Sequence, residues 1–279
     1  MNPGCTAIDD VDGSVSCTIH TDNVNTSVAG SYDIVYYAVD SSGNEATLVI
    51  TITVSESGSI TLSAYYESAD GLEGMALLLE LRTIINTGLV RVTYDSSKYI
   101  LDDTDRDPNN PANLIVVYRG TSVSGTWDGG VTWNREHVWP QSLLGVDTNP
   151  SSKHVGSDLH NLKPANPSEN SSRGNKYFDW TTTSVSYAPR DEVKGDIARI
   201  LFYMVVMYDY LSLQNRMPST YEMAFLNTLL QWHEDDPVDD FERNRNEVIY
   251  THQKNRNPFI DYPHFVGLIG ATNWGATGG

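Results

Sequence analysis

The sequence predicts an α+β protein of two parts: a small N-terminal all-β module and a larger, mainly helical domain that carries all of the candidate chemistry. Three observations lead there. The first 54 residues hold short runs of alternating apolar and polar residues broken by Asp-Gly and Gly-Asn, the period of half-buried strands and their turns. Beyond residue 60, apolar residues recur at three- and four-residue spacing, the period of an amphipathic helix. Finally, His, Asn, Asp, Glu and Arg gather in residues 132–180 around two short β-like segments.

In chain order, strands are expected at 15–20, 31–40 and 46–54, together forming a small sandwich. Tyr32, Ile34, Tyr36 and Ala38 fall on one face of the second run. In the third, Leu48, Ile50, Ile52 and Val54 alternate with Val49, Thr51 and Thr53. Cys5 and Cys17 are the two cysteines of the chain, and their spacing is compatible with a bridge or with two free thiols. No thiolate cluster or cysteine nucleophile is therefore available further on. Small polar residues then mark a linker at 57–60, separating a module of residues 1–56 from a domain of residues 61–270. In that domain a helix is expected over 72–85, ended by Gly88, and the strongest helical pattern covers 191–210. Thr220 reads as the N-cap of a helix over 221–233, another helix follows over 238–253, and residues 271–279 read as a Gly-rich tail.

Composition limits the partners. The chain is 39% hydrophobic and 19% charged, and the apolar run at 200–206 is too short to span a bilayer. Its 18 basic and 36 acidic residues give a net charge of −18, which opposes long-range attraction to nucleic acid. Part of this charge is segregated, since residues 1–57 hold eight acidic residues and no Lys or Arg. Residues 132–180 are balanced, five basic against five acidic, so any contact with a polyanion there has to be short-ranged.

The chemistry-bearing stretch reads NREHVWPQS at 134–142, SDLHNLKPA at 157–165 and NSSRGNKYF at 170–178. Downstream follow VKGDIARILFYM and ERNRNEVIYTHQKNRNPFIDYPHF, the latter at 242–265. These motifs, in this order, resemble the endonuclease I family. The resemblance implies a ββα-metal (His-Me finger) core and a magnesium-dependent, sequence-nonspecific endonuclease. Such an enzyme cuts DNA, with RNA as a further substrate, and leaves 5′-phosphate ends. It implies His137 as the general base, Glu136 and Asn175 as ligands of one Mg²⁺, and Mn²⁺ or Ca²⁺ as binding substitutes. The residue types suit these roles. A free imidazole titrates at about 6.5 and accepts a proton at neutral pH, while Mg²⁺ takes oxygen ligands and uses few side chains. In the implied core the first strand delivers His137, the second contains 158–162, and a short helix presents Asn175 from its opening turn.

One departure from the family pattern stands out: residues 138–157 contain no arginine to contact the cleaved phosphate. Arg173 is the favoured substitute, with Arg256 and Lys153 as the others, and His160 either touches phosphate or braces the β segments. Trp133 and Trp139 are expected to pack around the site rather than stack on bases.

Residues 1–55, with their Asp-Gly turn and DSSGNEA segment, resemble bacterial immunoglobulin-like surface repeats lacking the opening strand. That resemblance implies a secreted or cell-surface protein whose module contacts cell surface or matrix; a monomer is expected, and the net charge of −18 predicts an activity tolerant of salt. No signal peptide is contained in the chain, because Met1 is followed by Asn-Pro-Gly. Two rival readings remain: an inactive nuclease-like binding protein, and a Zn²⁺ site of His137, His154 and His160 that would consume the base.

Overall fold

In the computed structural model, which describes residues 5–22, 24, 30–54 and 61–278, the N-terminal alternation becomes strands. β1 (Ala7–Asp9) and β2 (Gly13–Val15) form a hairpin. β3 (Cys17–Asp22), β4 (Gly30–Val39) and β5 (Glu45–Val54) form an antiparallel sheet in that order. Ile34, Tyr36 and Ala38 are buried, as their period demands, but Leu48, opposite Tyr36 in the register, is 59% exposed. The expected sandwich is thus one sheet and one hairpin among the described residues. Cys5 and Cys17 are bridged, with Cα atoms 5.8 Å apart. The chain divides into units of residues 1–62 and 63–279; the linker expected at 57–60 lies outside the described residues.

The second unit opens with α1 (Gly74–Asn86), which buries Leu77, Leu78, Leu81, Ile84 and Ile85 along one face. α2 (Tyr94–Thr104) is capped by Thr93, whose Oγ1 accepts from Ser96 N at 3.1 Å. Its composition is polar, but Ser97, Ile100, Leu101 and Thr104 bury one face at helical spacing. β6 (Arg106–Asp107), β7 (Asn110–Ile115) and β8 (Ser122–Ser124) make a three-stranded antiparallel sheet. Next come β9 (Asn134–His137), α3 (Gln141–Leu144), β10 (Leu162–Ala165) and α4 (Pro167–Arg173). A parallel pair follows, β11 (Tyr177–Phe178) with β12 (Ser186–Tyr187).

α5 (Lys194–Met207) is buried on every side from Gly195 onward, as befits a helix with neighbours all round rather than one broad apolar face. Its buried Arg199 is answered by Glu242, Nε to Oε1 at 2.8 Å and Nη2 to Oε2 at 2.5 Å. β13 (Ser212–Gln214) pairs in parallel with β14 (Glu222–Ala224), which displaces the helix expected from 221: α6 is Leu226–Asp235. Thr220 therefore caps no helix. α7 (Asp240–Gln253) is capped by Asp239, and α8 (Pro258–Asp261) and α9 (Phe265–Ile269) close the sequence of elements. The segment expected as a tail is docked instead. Trp274 is 1% exposed and its ring lies 4.6 Å from Phe202 and 5.6 Å from Phe259, because one indole gains more by burial than the flanking glycines lose. Helices and small sheets alternate throughout, so the unit is mixed α+β, and no helix of the described residues is long and apolar enough to cross a membrane.

Two features hold β10 from behind. Leu101, Leu114, Val116, Trp133 and Leu162 form an apolar cluster joining α2, β7 and β10. Beside it, Lys163 Nζ lies 2.8 Å from Asp105 Oδ1, and Arg245 bonds Asp105 and donates to the carbonyl of Leu159 at 2.8 Å. A charge buried in this way stays folded only because it is paired.

Candidate active site

β9 and β10 run antiparallel, with His137 opposite Leu162, Glu136 opposite Lys163 and Arg135 opposite Pro164. Strand alternation sends Arg135 and His137 to one face and Glu136 to the other. From β10 the chain turns at Asn166, whose Oδ1 accepts from Ser168 N and Glu169 N at 3.1 and 3.3 Å, and enters α4 through Pro167. α4 then grips β9. Asn170 Nδ2 donates to Asn134 Oδ1 at 2.8 Å, and Arg173 donates to the carbonyls of His137 and Val138 at 2.9 and 2.6 Å.

His137 is buried, with its Nε2 2.8 Å from the carbonyl oxygen of Gly156. A carbonyl only accepts, so Nε2 carries the proton and Nδ1 holds the lone pair. Burial brings its pKa down to about 4, with smaller contributions in the same direction from Arg135 and Arg173, and the ring is neutral at neutral pH. It stacks on Tyr94, centroids 5.6 Å apart and planes 19° from parallel. Gly156 sits in a 3-10 turn capped by His154, and a Cβ there would lie 2.4 Å from Thr148 Cγ2, so only glycine fits.

Glu136 is also buried, and one of its oxygens, Oε1, takes two bonds: from the Tyr118 hydroxyl at 2.5 Å and from Arg173 Nη1 at 2.8 Å. Burial pushes its carboxyl up, while the Arg173 guanidinium and the Tyr118 hydroxyl pull it back. Burial likewise raises Tyr118 well above its usual range, so its hydroxyl stays protonated and donates. Asn175 is exposed and lies two residues past the end of α4, beyond Gly174 at φ 55°. Arg135, Glu136, His137, Asn170 and Asn175 line one open cleft of ≈ 460 Å³, with α3 on its far wall.

Several expectations are placed differently by the fold. The second strand begins at Leu162, and 158–161 form the turn before it, since their side chains serve as internal ties. Asp158 accepts from the hydroxyls of Tyr203 and Tyr208 at 3.0 and 2.7 Å, and Asn161 Oδ1 accepts from Trp139 N at 2.7 Å. His160 is 1% exposed, 4.3 Å from the Tyr203 ring, and burial lowers its pKa to about 4. Asn175 follows α4 rather than opening it, because Asn166 and Pro167 start the helix and Gly174 ends it. Arg173 is fully buried and its Nη groups are spent on Glu136 and two carbonyls, beneath the cleft rather than on its surface. Arg256 lines a different pocket, held by Glu247 and Asp261, and Lys153 is exposed outside the cleft lining. Among the described residues, His137, His154 and His160 do not form a group of three with ligand atoms within 4.8 Å of one another, so the zinc triad is not assembled. Trp133 and Trp139 are both fully buried, as expected of packing residues.

The sequence reading missed Arg135, Tyr118, Tyr94 and the Gly156 carbonyl. Arg135 had a signal, its i, i+2 relation to His137 in a short strand; its guanidinium lies 3.7 Å over the Tyr94 ring and donates to the Tyr94 carbonyl. Tyr118 had none, since it ends an apolar run that reads as core.

A neutral imidazole with its lone pair on Nδ1, a carboxylate anchored through one oxygen and an exposed amide, all on one open cleft, are the equipment of a hydrolytic enzyme. The chain belongs to the Endonuclease I family, whose model matches residues 74–264, and is therefore a nuclease, a phosphodiester hydrolase. Residues 1–54 match the model "Bacterial surface protein, Ig-like domain". Among curated proteins the chain is 42% identical over 227 residues to an "Extracellular ribonuclease" of Bacillus subtilis (strain 168), covering 74% of this chain and 77% of that one. It is 38% identical over 256 residues to an "Extracellular ribonuclease" of Bacillus amyloliquefaciens, covering 83% and 86%.

Proposed function

We propose that the chain is an exported, metal-dependent, sequence-nonspecific endonuclease of the ββα-metal type, formed by β9, β10 and α4. Its substrates are RNA and DNA, and its products end in 5′-phosphate. The observation that carries this reading is the pairing of a neutral His137, its proton fixed on Nε2 by the Gly156 carbonyl, with a Glu136 whose Oε1 is already occupied. The names of the two relatives put RNA beside DNA and, with the Ig-like module, support export.

Two donors on Oε1 leave Oε2 for a cation, and the exposed Asn175 amide on the same cleft supplies a second hard oxygen; the pair suits Mg²⁺, with Mn²⁺ or Ca²⁺ as binding substitutes. When bound, the ion neutralises charge on the phosphate and the leaving oxygen. His137 Nδ1 takes a proton from water as the water oxygen attacks phosphorus; the P–O3′ bond breaks, and the 3′-oxygen leaves and is protonated from solvent. Arg135, the half-buried cation beside His137, is assigned to the phosphate in place of Arg173, Arg256 and Lys153. Arg173 and Tyr118 are positioning residues for Glu136, and His160 is a brace. A binding-only role gains no support, since burial keeps His137 in the form a base requires.

The test is incubation with plasmid and with RNA, each with EDTA and with added Mg²⁺. Cleavage is expected with Mg²⁺ alone of these two. His137→Ala should lose all but a trace of cleavage while keeping fold and Mn²⁺ binding; unchanged turnover removes the base assignment. Restoration by Zn²⁺ but not by Mg²⁺ removes the metal assignment.

A further inference from the structure

The cleft holding His137 continues past Asn175. Two wall segments run on from it: α3, whose Gln141 and Ser142 line the His137 cleft while Leu143 lines a second hollow, and the chain after α4. In that chain Asn175 borders both spaces, whereas Lys176 and Tyr177 line the second alone. The second hollow is ≈ 180 Å³, and Leu143, Tyr177, Val185 and Met217 line it together with the polar Asn175, Lys176 and Ser184. Val185 and Met217 on its rim are 42% and 57% exposed, apolar surface left in water beside a polar cleft. The Tyr177 ring is fixed by packing edge-on to Phe225, centroids 5.0 Å apart at 90°.

We propose that this hollow is a nucleobase subsite, taking a base of a single-stranded RNA or DNA chain next to the phosphate held at His137. Leu143, Tyr177 and Met217 contact the flat heterocycle, and Lys176 meets the adjoining backbone phosphate. The proposal rests on the nuclease reading above. Charge supports it. The chain carries a net −18, and of the five basic residues in 132–180, Lys163 and Arg173 are buried in ion pairs. Few cations remain to hold phosphates, so affinity has to come from elsewhere. Base contact with aromatic and apolar side chains supplies it without reading sequence, because every base has a π-face. A base in a duplex is already stacked and paired, so the hollow favours unpaired strands.

The experiment is fluorescence anisotropy with His137→Ala protein and Ca²⁺, which avoids cleavage. The probes are a labelled ten-nucleotide single strand and the same strand abasic at every position, equal in phosphates. Loss of the bases is expected to weaken binding about tenfold or more, the scale of a base stacked on an aromatic ring. Adding Met217→Ser or Tyr177→Leu should bring that ratio down at least threefold. Met217 is exposed, so its substitution leaves the fold intact even if Tyr177→Leu does not. An unchanged ratio in Met217→Ser and in folded Tyr177→Leu, or equal binding of the two strands to the His137→Ala protein, overturns the subsite. Failure of wild-type cleavage with Mg²⁺ would instead sink the nuclease reading, while the binding ratio still reports on the hollow.

Discussion

Glu136 shows how a single residue is prepared by others. Tyr118 and Arg173 both donate to Oε1 and so fix the plane of the carboxylate that is proposed above as a cation ligand. Tyr118→Phe removes one donor and leaves no unpaired buried group of its own, so the fold should persist. Mn²⁺ affinity, read by paramagnetic resonance without nucleic acid, is expected to fall about 10- to 100-fold, the usual cost of losing an outer partner of a ligand. Wild-type affinity in that variant would show that Arg173 suffices. His160 gives a second test at this scale. Burial holds its folded pKa at about 4, outweighing the nearby Asp158 carboxylate, against about 6.5 unfolded. The unfolded chain therefore takes up the proton first, and this residue's contribution, present above pH 6.5, is lost as pH falls from 6.5 towards 4. In His160→Phe the loss of stability across that window, measured by urea midpoints, should be shallower than in wild type; equal slopes would mean that His160 does not titrate differently on folding. The SDLHNLKPA motif was legible as important, but its division of labour was not. Asp158, His160 and Asn161 face partners from α5, α7 and β9's flank, all distant in sequence.

α4 is the element that joins the two strands to the cleft. Its start was written locally, in Asn166 before Pro167, and its end in Gly174; these signals, read together, place Asn175 outside the helix. Asn166→Ala removes the side-chain acceptor for two backbone N–H groups and is expected to lower stability by about 1 kcal/mol. A urea midpoint unchanged from wild type would show the cap to be dispensable. The long helices α1, α5 and α7 were also legible, because apolar periodicity is a local property. The helix expected from 221 failed for a non-local reason: Glu222–Ala224 pairs with Ser212–Gln214, and strand pairing outcompetes helical propensity.

For the whole molecule the dominant quantity is charge. Binding that releases many counterions weakens steeply with salt, but this chain at −18 has few free cations near the cleft. Its field repels a polyanion most at low ionic strength, where the Debye length is about 30 Å at 0.01 M against about 10 Å at 0.1 M. Activity is therefore expected to hold or rise as NaCl increases from low to several hundred millimolar at saturating Mg²⁺. A steep monotonic fall from the lowest salt would show that a local basic cleft, not the overall field, sets the response.

Local periodicity determined the two-part organisation and the long helices, since it depends on neighbours within a few positions; composition alone set the charge, and the assignment of His137 and Glu136 came from the resemblance of the motifs around them to the endonuclease I family. The tertiary structure alone decided that Arg173 lies beneath the cleft, that Tyr118 reaches Glu136 from 18 residues away, and that Trp274 turns an apparent tail into core. It also decided that the Gly156 carbonyl fixes the tautomer of His137. Each is a contact between segments whose separation in sequence carries no information about their separation in space; those of Arg173, Tyr118 and His137 are set by which buried polar groups find partners when the core closes, and that of Trp274 by burial of its ring.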